Sequence, residues 1–270
     1  MTNKYELTQN SIKVNNRTLY QIRALRDFGF VKKGDLGGYI ETEYNLSHDG
    51  TCWVSENAYV FGDARVYGNA QVSENACVYE NAEVSGNAQV SGHAQVSGNA
   101  LVSGHAQVYE NTLVYGNAWV YGSARVFGNA CVSGDACVYG NAQVCGNTRV
   151  SGDAHVFGDA HVFGKTLVFG DARVYGNAQV SENARVSGDA QVYGNAEVYG
   201  NAQVYGNVHV FENAQVYGKA RLGYVPINFN CDFDPHESLK EILDQKEILP
   251  TLLGINLGLD KMISERLKHD

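Results

Sequence analysis

The sequence predicts an all-β fold, a triangular parallel β-helix of about ten coils, and two superimposed periods favour it. Valine recurs every six residues from Val54 to Val216, and Leu222 takes the next place in the series. Four residues after each valine stands a small residue, which is alanine except at Thr112, Thr148, Thr166 and Val208. A second period of 18 residues appears when the positions before the valines are sorted into three registers. One register contains most of the glutamines: Gln71, Gln89, Gln107, Gln143, Gln179 and Gln215.

Each six-residue unit predicts a short strand followed by a corner. The alanine and the next valine are two positions apart, so both face one side of the strand, and the variable residue between them faces the other side. Valine and alanine therefore fill the interior, and the small alanines permit a narrow prism. A helix is excluded, because a period of six would scatter the valines around it and the Gly-Asn pairs would interrupt it repeatedly.

Glycine followed by asparagine supplies most corners, since one of the two residues requires a positive φ. Glutamate replaces glycine at six corners, and asparagine follows each time: Glu56, Glu74, Glu80, Glu110, Glu182 and Glu212. We expect asparagine to take the left-handed conformation at those corners. The residues after the valines predict aromatic ladders along the corners. One 18-residue register contains Tyr67, Tyr121, Tyr139, Phe157, Tyr175, Tyr193 and Phe211.

The hexads, typified by VSGNAQVSGHAQVSGNA at residues 84–100, resemble those of left-handed β-helix proteins. That family includes hexapeptide-repeat acyltransferases and gamma-class carbonic anhydrases, and the resemblance implies left-handed winding. Residues 25–66, LRDFGFVKKGDLGGYIETEYNLSHDGTCWVSENAYVFGDARV, are also similar to phage and prophage hexapeptide-repeat proteins. The resemblance extends over about residues 18–222. It specifies the fold more closely than the function, because one fold hosts many functions.

Three regions follow from the extent of the repeat: an N-terminal cap at 1–50, the β-helix at 51–223, and a C-terminal segment at 224–270. Caps are expected because a β-helix exposes unpaired strand edges at its ends, and residues 20–40 are the expected N-terminal cap. The last segment predicts an extended stretch and then an amphipathic helical tail. We expect one of three roles for that tail: it covers the last coil, it joins sister chains in a homo-oligomer, or it docks onto another protein. Its apolar residues include Leu239, Ile242, Leu243, Leu252, Leu253, Leu259 and Ile263.

Charge and hydropathy indicate which classes of partner and which cellular compartment to expect. The formal net charge of −9 disfavours nucleic acid, because such binding draws its strength from basic groups. No apolar run approaches the roughly 20 residues of a membrane span. The first residues, MTNKYELTQNSIK, lack the apolar core of a secretion signal. We therefore expect a chain in the cytoplasm of a bacterium or of an infected host, with its six cysteines reduced.

The resemblance names two kinds of enzyme, and the sequence favours neither. The acyltransferases interrupt their coils with a loop that carries a catalytic histidine, whereas no interruption occurs between Val54 and Leu222. The carbonic anhydrases bind zinc through three histidines at a subunit boundary. Here His155 and His209 share a face but lie three coils apart, roughly 14 Å, which is too far for one ion. We expect a chain that is not an enzyme and uses no cofactor. An enzyme of either type, with a site assembled between subunits, is the alternative.

A row of carboxylates is a candidate cation site. Asp135, Asp153, Asp171 and Asp189 occupy the same corner position in consecutive coils. Neighbouring carboxylates repel by about 1 kcal/mol even in water, and a cation such as calcium would relieve that repulsion. The favoured alternative is that aspartate and asparagine serve this corner equally well and that the carboxylates point into solvent.

An apolar cluster is the strongest candidate for recognition. We expect Leu101, Trp119 and Cys137 in successive coils of one outward face, with Tyr115 and Tyr121 at the flanking corners. Exposed tryptophan and tyrosine suit an interaction hot spot, whereas stacking along the rod or burial under a terminal segment is the structural alternative. The sequence thus predicts a protein-binding β-helix whose partner is a sister chain or a host protein. The phage resemblance implies modulation of a host factor such as a defence protein, and a purely structural scaffold is a further alternative.

Overall fold

The computed structural model describes residues 3–223 and 255–256, and its repeat region forms the predicted three-faced parallel β-solenoid. Each coil has three two-residue strands, and each strand pairs in parallel with the strand 18 residues further along, as Gln89 does with Gln107. About ten coils stack at the roughly 4.8 Å spacing of paired strands. The all-β architecture, the 18-residue coil and the number of coils are confirmed, while left-handed winding stays a prediction.

The faces are named in the order in which the chain visits them in each coil. The first face comprises β4 Trp53–Val54, β7 Gln71–Val72, β10 Gln89–Val90, β13 Gln107–Val108, β16 Arg125–Val126, β19 Gln143–Val144, β22 His161–Val162, β25 Gln179–Val180, β28 Glu197–Val198, β31 Gln215–Val216 and β33 Ile255–Asn256. The second face comprises β1 Tyr5–Val14, β2 Arg17–Ala24, β3 Leu36–Ile40, β5 Tyr59–Val60, β8 Cys77–Val78, β11 Gln95–Val96, β14 Leu113–Val114, β17 Cys131–Val132, β20 Arg149–Val150, β23 Leu167–Val168, β26 Arg185–Val186, β29 Gln203–Val204 and β32 Arg221–Leu222. The third face comprises β6 Arg65–Val66, β9 Glu83–Val84, β12 Leu101–Val102, β15 Trp119–Val120, β18 Cys137–Val138, β21 His155–Val156, β24 Arg173–Val174, β27 Gln191–Val192 and β30 His209–Val210.

Three corners connect the faces, and each is named after the face that it follows. In the first coil they are residues 55–58, 61–64 and 67–70. The only helical element among the described residues is a single 3-10 turn, Glu43–Asn45.

The core contains valine and alanine alone over most of the rod, as the sequence predicts. The valines from Val54 to Val204 are fully buried, and so are the alanines that precede them by two positions. The exceptional threonines keep their hydroxyls satisfied inside the corner. Thr112 Oγ1 donates to the carbonyl of Tyr109 at 2.7 Å, and Thr148 Oγ1 donates to that of Cys145 at 2.7 Å. A hydroxyl is therefore tolerated in an alanine position because a corner carbonyl lies within reach.

The corners correct one expectation. The glutamate itself, not the following asparagine, takes the left-handed conformation: φ is 56° at Glu56, 62° at Glu74, Glu80 and Glu110, 60° at Glu182 and 59° at Glu212. The reason lies in the asparagine that follows the glutamate, whose backbone amide must bond to the next coil, as Asn57 N does to the carbonyl of Glu74 at 3.0 Å. Its side chain forms a ladder as well, since Asn81 Nδ2 donates to Asn99 Oδ1 at 3.0 Å. Asparagine is therefore selected for this ladder.

The N-terminal segment extends the second face. Strands β1 and β2 form an antiparallel hairpin, β2 pairs with β3, and β3 then pairs in parallel with β5 of the solenoid. Two residues at the start of this segment hold it to the first coil. Lys4 Nζ donates to the carbonyl of Cys52 at 2.9 Å, and the Tyr5 hydroxyl donates to the carbonyl of Leu46 at 2.7 Å. The hairpin lies within the region 1–50 that was predicted as the cap, and it begins before residues 20–40, the stretch expected to supply the cap.

The predicted helical tail and its residues Leu239, Ile242, Leu243, Leu252, Leu253, Leu259 and Ile263 lie outside the described residues. Ile255–Asn256 within it form β33, which pairs antiparallel with β31 on the first face. The prediction of helix is therefore wrong at these two residues. The physical reason is the sheet edge, because β31 offers unpaired backbone groups that a returning strand satisfies.

Candidate interaction surface

Leu101, Trp119 and Cys137 lie side by side on the third face. Trp119 pairs with Leu101 on one side and with Cys137 on the other, so the three outward side chains occupy successive coils. The Trp119 side chain is 50% exposed, whereas Leu101 and Cys137 are half-buried. Tyr115 lies at the adjacent second corner and is 44% exposed. Three of the five predicted interaction residues thus lie side by side on the third face, and Tyr115 lies at the corner that precedes it in the chain.

Tyr121 lies at the third corner and belongs to a different arrangement. Its ring stacks on Tyr139 with centroids 4.8 Å apart and planes within 2°. The same register continues through Phe157, Tyr175, Tyr193 and Phe211. Tyr121 is half-buried as the first ring of this stack, so its outward face is smaller than that of Tyr115. The structure assigns it mainly to the corner ladder.

Leu113 is a surface residue that the sequence analysis missed. It is the outward residue of β14, two positions before Tyr115, and it is 39% exposed. Its place in the hexad carries the signal, because the residue before each valine always points outward. Leu101, Leu113, Tyr115, Trp119 and Cys137 lie within three successive coils, on the second and third faces and at the second corner between them. This group is here called the Trp119 patch.

Cys137 belongs to this patch, and a second thiol, that of Cys131, contacts Tyr115 within it. Burial, and then the nearby charge of Asp135, raise the pKa of the Cys137 thiol above its ordinary value. Cys131 Sγ donates to the Tyr115 hydroxyl at 3.8 Å, a long contact that orients the phenol toward the neighbouring coil. Both thiols are only partly exposed and behave here as small apolar groups.

The predicted carboxylate row is present at the second corner. Asn117 Nδ2 donates to Asp135 Oδ1 at 2.7 Å, which ends the amide ladder on that side. The pKa of Asp153 is raised by partial desolvation and then by repulsion from Asp171 and Asp135. Within residues 3–223, no three His, Cys, Asp or Glu side chains converge as a metal site would require. The structure thus gives the row a shared negative charge and no cage of ligands.

The repeat-region histidines lie apart from one another. His155 contacts Tyr139 edge-on at 6.1 Å, and His209 contacts Tyr193 in the same way at 6.1 Å, three coils further along. Each of these rings therefore packs against the third-corner ladder. No helix in the described part of the chain has the length and apolar character needed to cross a membrane.

The fold and the hexad repeat define the chain as a β-solenoid repeat protein. Its repeats match the YdcK beta solenoid repeat family in segments that together cover about a third of the chain: residues 58–74, 94–110, 142–158, 168–182, 190–206 and 202–218. A comparison with curated proteins found no match.

Several solved structures are similar in part. One is the UDP-N-acetylglucosamine O-acyltransferase LpxA of Moraxella catarrhalis RH4, at 14% identity and a TM-score of 0.49 over 59% of this chain and 69% of that one. LpxA of Acinetobacter baumannii has 10% identity and a TM-score of 0.37 over 57% and 71%. The UDP-N-acetylglucosamine acyltransferase of Francisella novicida has 12% identity and a TM-score of 0.34 over 62% and 67%. At these scores the similarities carry no argument about the activity of this chain.

Proposed function

We propose that this chain is a non-enzymatic interaction protein that binds a partner protein through the Trp119 patch. One observation carries the proposal: Leu113, Tyr115 and Trp119 expose 39%, 44% and 50% of their surfaces within seven consecutive residues. Apolar side chains grouped in this way mark contact surfaces, and tryptophan and tyrosine are the residues that most often dominate binding energy there.

The rigidity of the rod supports this role. The patch residues project from strands and a corner that are hydrogen-bonded on both sides, as shown by Leu101 N to the carbonyl of Ala118 and Trp119 N to that of Ala136, both at 2.9 Å. The side chains are therefore held in place before a partner arrives, which limits the conformational entropy lost on binding.

The nature of the partner is the finer part of the proposal. The similarity of residues 25–66 to phage and prophage proteins supports a host protein as the target, with modulation of that protein as the outcome. A sister chain is the competing partner, and it uses the same surface or the C-terminal tail.

The proposal is tested by affinity capture from a bacterial lysate with the full-length chain and two variants. Trp119→Ala removes the central side chain of the patch. Phe169→Ala is the matched control, because Phe169 is another exposed aromatic, 41% accessible, at the second corner three coils beyond Tyr115. We expect a stoichiometric partner that Phe169→Ala retains and that Trp119→Ala binds roughly 30-fold more weakly. Capture of nothing but the chain itself, or equal capture by both variants, contradicts the proposal.

A further inference from the structure

A gap interrupts the side-chain ladder at the second corner next to the Trp119 patch. Phe61 and Tyr79 stack there in successive coils with centroids 5.3 Å apart and planes within 5°. The next coil places Ser97 in the same position, and the coil after that places Tyr115. Tyr79 and Tyr115 are therefore two coils apart, which separates equivalent atoms by roughly 9.6 Å.

The gap is an open slot of about 420 Å³. Its walls and floor are Tyr79, Glu80, Gln95, Ser97, Gly98, Leu113, Tyr115 and Gly116. Ser97 forms the floor, since it is only 8% exposed despite its place at a corner. Stacked rings elsewhere on the rod lie 4.8 Å apart, as Tyr121 and Tyr139 do, so the slot has room for one planar group between the two tyrosines.

Charge decides which planar group fits. Among the described residues, Glu80 is the one charged residue that lines the slot, and its Oε2 accepts a hydrogen bond from the backbone amide of Gly98 at 2.6 Å. The same corner continues with Asp135, Asp153, Asp171 and Asp189, and none of these forms an ion pair among the described residues. The slot itself carries the negative charge of Glu80, and the aspartate row begins two coils beyond Ser97 on the same corner, past Asn99 and Asn117. Both favour a cationic occupant over a neutral ring.

The N-terminal end of the rod already shows such an arrangement. The guanidinium carbon of Arg65 lies 5.1 Å from the ring centroid of Tyr44 and 5.7 Å from that of Tyr67. One guanidinium on this rod thus lies within cation–π distance of two tyrosine rings at once. Arginine suits the position better than lysine, because its planar group stacks on aromatic faces while its N–H groups pair with a carboxylate.

We propose that the slot between Tyr79 and Tyr115 receives the guanidinium of an arginine from the partner protein, stacked between both rings and paired with Glu80. The inference rests on the proposed function and names the chemistry of the partner. The segment around that arginine is basic, because it continues along the aspartates of the same corner.

The test measures binding of N-acetyl-argininamide to the full-length chain by saturation-transfer NMR. Ser97→Tyr fills the slot and completes the ladder from Phe61 to Tyr115, so the variant melts at or above the temperature of the unmodified chain. Ser187→Tyr is the matched control, with the same substitution at the same corner, five coils away. We expect binding to the unmodified chain and to Ser187→Tyr, and at least tenfold weaker binding to Ser97→Tyr and to Glu80→Gln.

Other outcomes overturn the inference. Equal binding to Ser97→Tyr, preference for N-acetyl-tryptophanamide, or no binding of the arginine probe at tens of millimolar each exclude an arginine slot. These results are separable from a failure of the proposed function. If the chain binds the probe at the slot but captures no partner, the arginine slot stands and the proposed function is contradicted. If the chain captures a partner but its slot does not bind the probe, the proposed function stands and the arginine slot is contradicted.

Discussion

Asn117 donates a 2.7 Å hydrogen bond to Asp135, and this bond is the last of an amide run that begins at Asn81. Beyond Asp135 the corner carries only carboxylates for three further coils. An ionised carboxylate accepts hydrogen bonds but donates none, so the ladder cannot continue. Repulsion takes the place of hydrogen bonding there, and it contributes to the raised pKa of Asp153.

Asp153→Asn should therefore stabilise the rod at pH 7, because the new amide removes two repulsive contacts and supplies a donor to Asp171. The expected rise in melting temperature is on the order of 1–3 °C. An acid with a raised pKa in the folded state binds its proton more tightly there than in the unfolded chain. Stability of the unmodified chain consequently falls as pH rises from about 3.9 through the raised value. The gain from Asp153→Asn should disappear below about pH 3, where the Asp153 carboxyl is protonated in both the folded and the unfolded chain and is uncharged like asparagine.

Asp159→Asn is the control for the comparison of melting temperatures between Asp153→Asn and the unmodified chain. Asp159 accepts from Asn141 at 2.9 Å and has asparagines in both neighbouring coils, so no repulsion is relieved. An equal gain from Asp159→Asn would show that asparagine is preferred at any corner and that the row has no special electrostatic cost.

The left-handed glutamates yield a second prediction. Glu110 has φ of 62°, which costs a residue with a Cβ roughly 1–2 kcal/mol relative to glycine. Glu110→Gly should therefore raise the free energy of unfolding by about 0.5–1 kcal/mol, after allowance for the greater freedom of glycine in the unfolded chain. Urea denaturation measures the change.

The reverse substitution at a glycine corner should act in the opposite direction. Gly140 has φ of 72°, and a Cβ there would lie 2.9 Å from the backbone nitrogen of Gly158 in the next coil. Gly140→Ala should lower the free energy of unfolding by about 2 kcal/mol, since it combines backbone strain with a clash. The corner geometry is misassigned if both substitutions change stability in the same direction.

The repeat made the fold predictable, because the spacing of valine and alanine determines which side chains face the interior in every coil. Two features escaped this reasoning for physical reasons. The left-handed residue could not be assigned within the Glu-Asn pairs, because the choice depends on hydrogen bonds to the next coil, such as Asn57 to Glu74. The N-terminal hairpin has no hexad period, so its pairing depends on contacts such as that of Lys4 with Cys52.

The candidate surface was predictable only in part. Its residues on the third face follow from the 18-residue register, and so does the exposure of Trp119. The slot exists because Ser97 stands where an aromatic residue would continue the ladder. A search of the sequence for aromatic residues therefore does not find it. Comparing the post-valine positions in steps of 18 would have found it, since Tyr79 and Tyr115 stand on either side.

Thiol reactivity should distinguish the cysteines in the native chain. Burial raises the pKa of Cys77 to about 12, and Cys52 is also enclosed with a raised pKa, so both should resist iodoacetamide at pH 8. The partly exposed Cys131, Cys137 and Cys145 should be labelled first. Peptide mass spectrometry resolves the sites, and denaturation should make all of them reactive.

The patch thiol is sensitive to its acidic neighbour. A raised pKa lowers the thiolate fraction at a given pH, so Cys137 should react more slowly than an unperturbed cysteine. Asp135→Asn removes the charge but not the burial, which is the larger cause, so labelling of Cys137 at pH 8 should accelerate by no more than about threefold. Cys145 serves as the internal reference, because burial and Glu110, not Asp135, raise its pKa. Acceleration of both thiols alike would indicate a general loosening of the coils.

The third-corner ladder should carry more stability than isolated exposed rings. Phe157 stacks on Tyr139 and on Tyr175, each at 4.8 Å with planes within 2°. Phe157→Ala removes two ring contacts and half-buried apolar area, and it should lower the free energy of unfolding by about 2 kcal/mol. Phe169→Ala removes an exposed ring of the same size, and its cost should stay below about 1 kcal/mol. If both substitutions lower the free energy of unfolding equally in urea denaturation, ring stacking adds nothing to the burial of apolar area. The ladder would then result from the stacking of the coils without stabilising the rod.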